Sequence, residues 1–152
     1  MKRSHQLIIL VPAVVLVSFL AWEWYLSPQA RVERFLHGVS EAAEEKDFER
    51  LVGSFSSAYS DFRGLDYAAI ADLIERGFER IDRLNVTVEG VRVEFEPEPT
   101  TASFELTVIA IRGEERYLLV GQPMKGEKLR VELEKESGDY KITKVERTGS
   151  EY

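Results

Sequence analysis

The sequence predicts an α+β domain that follows an N-terminal apolar helix, and three observations carry this prediction. Residues 7–26 form a nearly unbroken apolar run. Within residues 28–81, three segments repeat their apolar side chains at helical spacings of three and four positions. From residue 84 onward the apolar positions alternate with period two, as in strands that bury one face. Helices followed by strands are typical of an α+β fold, here three helices packed on a curved, mainly antiparallel sheet of four strands.

The composition is that of a globular protein, with 44% hydrophobic and 31% charged residues among 152. The formal net charge is −7, so we expect no basic surface that would neutralise nucleic-acid phosphates. Cysteine is absent from the sequence, which excludes thiolate catalysis and cysteine-ligated metals. The histidines are His5 and His37, too few for a multi-histidine metal centre. We therefore expect no metal, no cofactor and no nucleic-acid partner.

The apolar run at residues 7–26 has close to the ~20 positions that span a bilayer as a helix. Two basic residues precede it, and three aromatic residues lie at its other end: Trp22, Trp24 and Tyr25. This arrangement predicts a single-pass helix in the cell inner membrane, with residues 1–6 in the cytoplasm and the rest outside, in the periplasm if the source is bacterial. A cleaved signal peptide is the alternative. No pair of small residues follows the run as a cleavage site, so an uncleaved anchor is favoured.

Polar residues that commonly cap the N-termini of helices divide the helical part of the chain. Ser27 followed by Pro28 predicts the start of a first helix of about 17 residues. Asp47 predicts the cap of a second, shorter helix, and Asp66 predicts the cap of a third. The stretch 54–64 is rich in Ser and Asp and ends at a glycine, so it predicts a loop between these two helices.

Alternation defines the strands. Gly90 lies where the alternation of valines changes phase, which predicts a β-bulge. The next strand has an apolar set that we place on the inner face: Ala102, Phe104, Leu106, Val108 and Ala110. A third strand is predicted over residues 117–120 and 129–135, interrupted at 121–126, and 137–139 predicts a hairpin turn into the last strand. All inner positions identified in this way are apolar, so no strand acid is expected inside the domain.

Several short motifs, in this order, resemble the nuclear transport factor 2-like superfamily. They are Phe35-Leu36 with Ala42-Ala43, then Asp47-Phe48-Glu49-Arg50-Leu51, then Ser57-x-Tyr59-x-Asp61-x-x-Gly64, and last Glu136-Ser137-Gly138-Asp139-Tyr140-Lys141-Ile142. The resemblance implies a cystatin-like cone over residues 27–148, with 149–152 as a tail. Ketosteroid isomerase-like and SnoaL-like proteins share this cone. Many members insert a hairpin between the second and third helices, for which only 54–64 is available, so we expect a trimmed version.

The resemblance also indicates where chemistry would lie. Enzymes of this superfamily hold an acid inside the apolar cone beside a tyrosine, because a water-poor site tunes the pKa of that acid. The inner positions are apolar and both histidines fall outside the cone, so no catalytic apparatus is expected. Tyr59 and Asp61 are the weak candidates for an acid–tyrosine pair at the cone mouth. The competing interpretation is structural: Asp61 closes a turn before Gly64, and Tyr59 packs.

Two functions stay open. The favoured one is a membrane-tethered, non-catalytic module that binds a protein partner or a small apolar ligand. The alternative is a ketosteroid isomerase-like enzyme that uses the acid–tyrosine pair. In either case the resemblance implies a ligand pocket inside the cone, with a predicted lining of six residues: Tyr59, Tyr67, Ile74, Phe78, Phe104 and Leu106.

The partners expected besides the membrane are an envelope protein or a second copy of the chain. Superfamily members often pair through the outer face of the sheet, so the resemblance suggests a homodimer. The outward set of the central strand is Ser103, Glu105, Thr107, Ile109 and Ile111. Its two isoleucines are the basis of this prediction, because two neighbouring isoleucines are more than a face exposed to solvent usually carries. Alternatively, the segment 121–126 covers them, or they stay singly exposed.

Overall fold

The computed structural model describes the backbone of residues 3–149 and the side chains of residues 13–149. It forms two compact units, Met1–Arg34 and Phe35–Tyr152. The helices are α1 (Arg3–Leu26), α2 (Pro28–Glu44), α3 (Phe48–Val52) and α4 (Tyr67–Arg80). The strands are β1 (Phe55–Asp61), β2 (Arg83–Glu94), β3 (Thr100–Arg112), β4 (Glu115–Val120), β5 (Glu127–Glu136) and β6 (Asp139–Arg147).

The first unit contains α1 and the first turns of α2. Ser27 Oγ accepts a hydrogen bond from the Ala30 backbone N–H at 3.2 Å, which confirms the predicted start of α2. Arg34 donates from Nη2 to the Tyr25 carbonyl oxygen at 2.7 Å. The Arg34 guanidinium carbon also lies 4.0 Å from the centre of the Tyr25 ring. These contacts connect the end of α1 to the first turns of α2.

The predicted membrane-spanning helix at residues 7–26 is wrong, because no helix among the described residues is both long and apolar enough to cross a membrane. The described side chains of α1 run from residue 13 to Leu26 and include Ser18 and Glu23. A span needs about 20 mostly apolar residues in a row. The predicted localisation, a single-pass inner-membrane protein with an external domain, was based on this helix and is wrong for the same reason. Residues 1–2 and 150–152 of the predicted terminal segments lie outside the described residues.

The two helices whose starts were predicted from an aspartate, α3 and α4, begin directly after Asp47 and Asp66. Asp47 Oδ1 accepts a hydrogen bond from the Arg50 N–H at 3.1 Å, at the start of α3. Asp66 Oδ1 accepts one from the Ala69 N–H at 2.9 Å, at the start of α4. Each side chain satisfies a backbone donor that has no partner inside its own helix. The two predicted caps are confirmed.

Six strands form one sheet in the order β1-β6-β5-β3-β2, with β4 also paired to β3. β1 runs parallel to β6, and all other pairs are antiparallel. β5 pairs with residues 100–106 of β3, and β4 pairs with residues 108–112. β2 pairs with the opposite edge of β3. β4 and β5 therefore lie one after the other along the same edge, as two parts of one interrupted strand. The predicted interruption at 121–126 is confirmed.

β1 was not predicted, because the stretch 54–64 was assigned to a loop. Its Ser-rich sequence has a weak strand preference, but Ser56 and Tyr59 are both buried. Its backbone also joins β6, where the Phe62 N–H donates to the Val145 carbonyl at 3.1 Å. Pairing with a distant strand overrides the local preference here. With β1 added, and with β4 and β5 counted separately, the sheet has six strands instead of the predicted four.

The bulge at Gly90 is confirmed. The pairing of β2 with β3 shifts register between Glu89 and Arg92, and Gly90 has a φ of 64°, a value that favours glycine. The extra residue keeps Val88 and Val93 on one face of the sheet, each opposite an inner residue of β3. The inner face of β2 is continuous across the bulge for this reason.

The outer isoleucines are covered unequally within the single chain. Ile111 is buried, whereas Ile109 is partly exposed. The two ends of the segment 121–126 contact the neighbouring part of β3: a Cβ added to Gly126 would approach Glu105 Cβ at 2.9 Å, and one added to Gly121 would lie 3.5 Å from Thr107 Oγ1. The homodimer stays a prediction, and Ile111 would add little area to it.

Phe104 provides the test of the inner face. Its ring is 8% exposed on β3, so Phe104→Ala should lower the free energy of unfolding by about 3–5 kcal/mol through lost burial and a residual cavity. Urea denaturation of the chain measures the change. Ser103→Ala, the neighbouring residue on the outer face, is the matched control and should change stability by less than about 0.5 kcal/mol. A loss below about 1 kcal/mol for Phe104→Ala would show that the assignment of the inner face is wrong.

Candidate functional site

An apolar cavity of about 250 Å³ lies between the inner face of the sheet and the helices of the second unit. Its wall consists of Leu36, Val39, Ser40, Ala43, Phe55, Tyr59, Ile70, Leu84, Val86, Val88, Phe104, Leu106, Val108, Leu129, Val131, Ile142 and Val145. Only two of these side chains, Ser40 and Tyr59, carry a hydroxyl. Ser40 Oγ already donates to the Leu36 carbonyl at 3.1 Å. The wall is therefore almost entirely hydrocarbon.

The regular elements explain why these residues share one wall. The four residues from α2 are spaced three, one and three positions apart, which is one face of a helix. The strand residues are spaced two apart, as in Phe104, Leu106 and Val108 on β3, so they lie on one face of the sheet. The apolar periodicity in the sequence thus builds the cavity directly.

Tyr59 supplies the polar group of this wall. It lies on β1, and its ring packs edge-on against Phe55 at 5.0 Å between ring centres. Burial first, and the negative charge of Asp61 second, raise the pKa of Tyr59 to about 12, so its hydroxyl stays protonated near neutral pH. Among the hydrogen bonds of the described residues none uses this hydroxyl, and it is not sealed from open space. It can donate one hydrogen bond to a molecule in the cavity.

Asp61 closes a turn and does not line the cavity. Its Oδ1 accepts hydrogen bonds from the Arg63 and Leu65 backbone N–H groups, each at 2.8 Å, and its Oδ2 accepts one from Arg63 Nε at 3.2 Å. Burial opposes its ionisation, but these donors and the Arg63 charge together lower the pKa of Asp61. The side chain is 3% exposed. The contacts correspond to the structural interpretation of this residue.

The predicted lining and the observed wall overlap in part. Three of the six predicted residues belong to the wall: Tyr59, Phe104 and Leu106. The other three, all on α4, do not: Tyr67, Ile74 and Phe78. α4 reaches the cavity through Ile70, the buried residue of its second turn. Helical spacing shows which residues share a face, but it does not show how far along its length a helix follows the cavity.

Beyond one end of the apolar wall, the inner face becomes charged. Leu106 on β3 pairs with Glu127 on β5, and Leu129 on β5 pairs with Arg147 on β6. Directly paired residues of antiparallel strands project from the same face, so Glu127 and Arg147 continue the inner face. Their side chains form an ion pair between Arg147 Nε and Glu127 Oε1. Glu127 is 22% exposed and Arg147 is 51% exposed.

An exposed aromatic ring completes this end of the site. Phe62 follows β1, and the guanidinium carbon of Arg147 lies 4.9 Å from its ring centre. The guanidinium carbon of Arg63 lies 5.6 Å from the same ring centre. Each contact has the geometry of a cation–π interaction, typically worth about 0.5–1 kcal/mol at an exposed site. We call Phe62, Arg63, Glu127 and Arg147 the charged rim.

Glu127 and Arg147 were not predicted as site residues, although a signal for them exists. Glu127 precedes Leu129 by two positions, and Arg147 follows Val145 by two positions. Continuing the alternation of the inner face by one step at each end identifies both. The expectation that no strand acid faces inward is therefore wrong at the charged rim.

A second cavity, of about 380 Å³, opens at the Gly90 bulge. Its polar lining mixes both signs of charge: Glu89, Arg92, Glu105 and Lys128, with Ser103 and Thr148. In the part of the chain that the structure describes, no three His, Cys, Asp or Glu side chains converge to hold a metal ion.

Comparison with known proteins identifies the fold. No family model matches the sequence, and no curated protein matches it. Three solved structures from Novosphingobium aromaticivorans are similar. A nuclear transport factor 2-like protein with a cystatin-like fold has a TM-score of 0.64 and 15% identity, over 90% of this chain and 92% of that one. A candidate scytalone dehydratase has a TM-score of 0.65 and 16% identity, over 77% and 80%.

The third structure, a candidate aromatic ring hydroxylase, has a TM-score of 0.66 and 10% identity, over 82% of this chain and 90% of that one. At such identities the similarity concerns the fold and not the activity. The similarity covers 77–90% of this chain at TM-scores of 0.64–0.66. The chain therefore has the nuclear transport factor 2-like fold, the cone-shaped α+β architecture that its motifs resemble.

Proposed function

We propose that this domain binds a small apolar ligand in its inner cavity and does not catalyse a reaction on it. The observation that carries the proposal is a cavity of about 250 Å³ with hydrocarbon walls and one hydroxyl that is free among the described residues. Ligand sites commonly enclose about 300–1,000 Å³, so this one is small. A molecule the size of two fused aromatic rings suits it.

The physical driving force favours such an occupant. Water against a hydrocarbon wall gives up hydrogen bonds without replacing them, so an apolar ligand displaces it at little cost. An apolar ligand leaves water and gains dispersion contacts with the wall at the same time. The Tyr59 hydroxyl then gives one directional contact, which orients the ligand.

The contacts of Asp61 argue against the alternative, an enzyme with an acid–tyrosine pair. Its oxygens are occupied by three donors that all belong to one turn, and it is not part of the cavity wall. Tyr59, with a pKa of about 12, donates a hydrogen bond readily but gives up its proton poorly near neutral pH. The enzymatic names of two similar structures do not carry over at 10% and 16% identity.

A protein partner is the second candidate, and β4 favours it. This strand pairs only with β3 among the described strands, and Tyr117, Leu118 and Leu119 on it are exposed. An edge strand presents unpaired backbone groups to which an extended segment of another protein can add. This surface is separate from the cavity, so both partners are compatible.

Binding of a neutral dye tests the cavity. N-phenylnaphthylamine emits more strongly in apolar surroundings, and we expect a saturable rise in its fluorescence with the wild-type chain. Val88→Trp places a large side chain into the cavity and should weaken the dye's affinity at least about tenfold, which corresponds to about 1.4 kcal/mol. Fluorescence titration gives the dissociation constants.

Thr87→Trp is the matched control, since Thr87 is the exposed neighbour of Val88 on the opposite face of β2. It should leave the affinity unchanged. Thermal melts of both variants check that they fold. Equal affinity in Val88→Trp and the wild-type chain would place the dye elsewhere and contradict the proposal.

Asp61→Asn tests whether Asp61 serves the fold. Because folding lowers the pKa of Asp61, its ionised form stabilises the native state above the ordinary aspartate pKa of about 4. This contribution is lost as the pH falls through the lower, folded-state pKa. The variant should be less stable by about 1 kcal/mol near neutral pH, and the difference should begin to shrink as the pH falls below about 4.

Urea melts across this pH range measure the difference. Dye affinity should stay within about twofold of the wild-type value, because Asp61 does not touch the cavity. Unchanged stability together with a large loss of dye affinity would instead assign Asp61 to the ligand site.

A further inference from the structure

We propose that the ligand of this cavity is an apolar molecule that ends in a carboxylate, and that Arg147 at the charged rim binds this carboxylate. The inference rests on the proposed function, since it specifies the polar end of the same ligand.

Arg147 continues the inner face of the sheet directly beyond the cavity wall. It follows Val145 by two residues on β6 and pairs with Leu129 on β5, and both of these residues belong to the cavity wall. A ligand whose apolar body lies against them meets the Arg147 guanidinium at the next position of the same face.

The two guanidinium groups of the charged rim keep donors that no described residue uses. Arg147 Nε forms the ion pair with Glu127, and Arg63 Nε donates a hydrogen bond to Asp61 Oδ2. Among the described residues, neither guanidinium has a hydrogen-bond acceptor at its Nη atoms. Asp61 is saturated and buried, so it offers no acceptor to them. A ligand carboxylate can use the donors at these Nη atoms, because the two Nη atoms of one guanidinium bind a carboxylate through parallel hydrogen bonds.

Glu127 and Phe62 hold Arg147 in place for this contact. Glu127 engages the Nε side of the guanidinium, and the Phe62 ring lies 4.9 Å from its central carbon. Both contacts restrict the side chain before a ligand arrives, which reduces the entropy lost on binding. Arg63 lies beside the same ring, and its charge is paired with Asp61.

Two ligands of equal shape test the proposal. Naphthoate and isopropylnaphthalene, substituted at the same ring position, share the ring system and the branching of the substituent, but only naphthoate has the two oxygens. Each is titrated against bound N-phenylnaphthylamine in the wild-type chain and in Arg147→Gln. We expect the affinity for naphthoate to fall about tenfold in the variant and that for isopropylnaphthalene to stay unchanged. Arg147 is half exposed, so added salt should reduce the naphthoate affinity of the wild-type chain.

Arg130→Gln is the matched control. Arg130 is the next residue after Leu129 on β5, faces outward and pairs with Glu94, so its loss removes the same charge from the other face. Both affinities should stay as in the wild-type chain. Arg147→Lys keeps a charge beside Glu127 but lacks the two-pronged donor, and it should lose part of the naphthoate affinity. It provides a second measurement if Arg147→Gln folds poorly.

The outcomes separate the two proposals. An unchanged ratio of the two affinities in Arg147→Gln, or an equal fall in Arg130→Gln, overturns the role of Arg147 while the apolar site stands. If neither the dye nor isopropylnaphthalene binds the wild-type chain, the proposed function itself fails. A selective loss of naphthoate affinity in the Arg147 variants supports the inference.

Discussion

The double pairing of β3 is the constraint on which the rest of the domain depends. β2 lies along one edge of β3, and β5 followed by β4 lies along the other. The register with β5 sets Phe104 opposite Leu129 and Leu106 opposite Glu127, so it fixes where the apolar wall ends and where the charged rim begins. Because side chains alternate with period two, a slip by one residue would turn the whole inner face of β3 outward. Burial of Phe104 therefore selects the register, and the register places the site.

Features that depend on a few neighbouring residues could be predicted from the sequence. The caps at Asp47 and Asp66 involve a side chain and an N–H group three residues away, and the Gly90 bulge is visible in the phase of its flanking valines. The last hairpin has positive φ angles at Ser137 and Gly138, as its turn residues indicate. In each case the local preference and the tertiary structure agree, so short-range reasoning is sufficient.

Features that depend on distant partners could not be predicted in this way. β1 exists because it pairs in parallel with β6, at the other end of the domain sequence, and its Ser-rich residues give no local sign of this. The apolar run of α1 was interpreted from its composition, and the interpretation of a membrane span was wrong. Half of the predicted lining lay on α4, where periodicity identified a face but not the turn that reaches the cavity. The charged rim was missed for a different reason, since the alternation was followed only while it stayed apolar.

The position of Asp61 links the fold to the kind of function that the site can have. Its carboxylate binds the N–H groups of the turn that follows β1, and that turn carries Phe62 and Arg63 to the charged rim. A carboxylate that holds the backbone of a turn does so in its ionised, hydrogen-bonded form, and it cannot also exchange protons with a ligand without releasing the turn. The carboxylate of Asp61 thus fixes the turn at the charged rim and is not available for proton transfer. This arrangement favours a site that recognises and orients a ligand over one that transforms it.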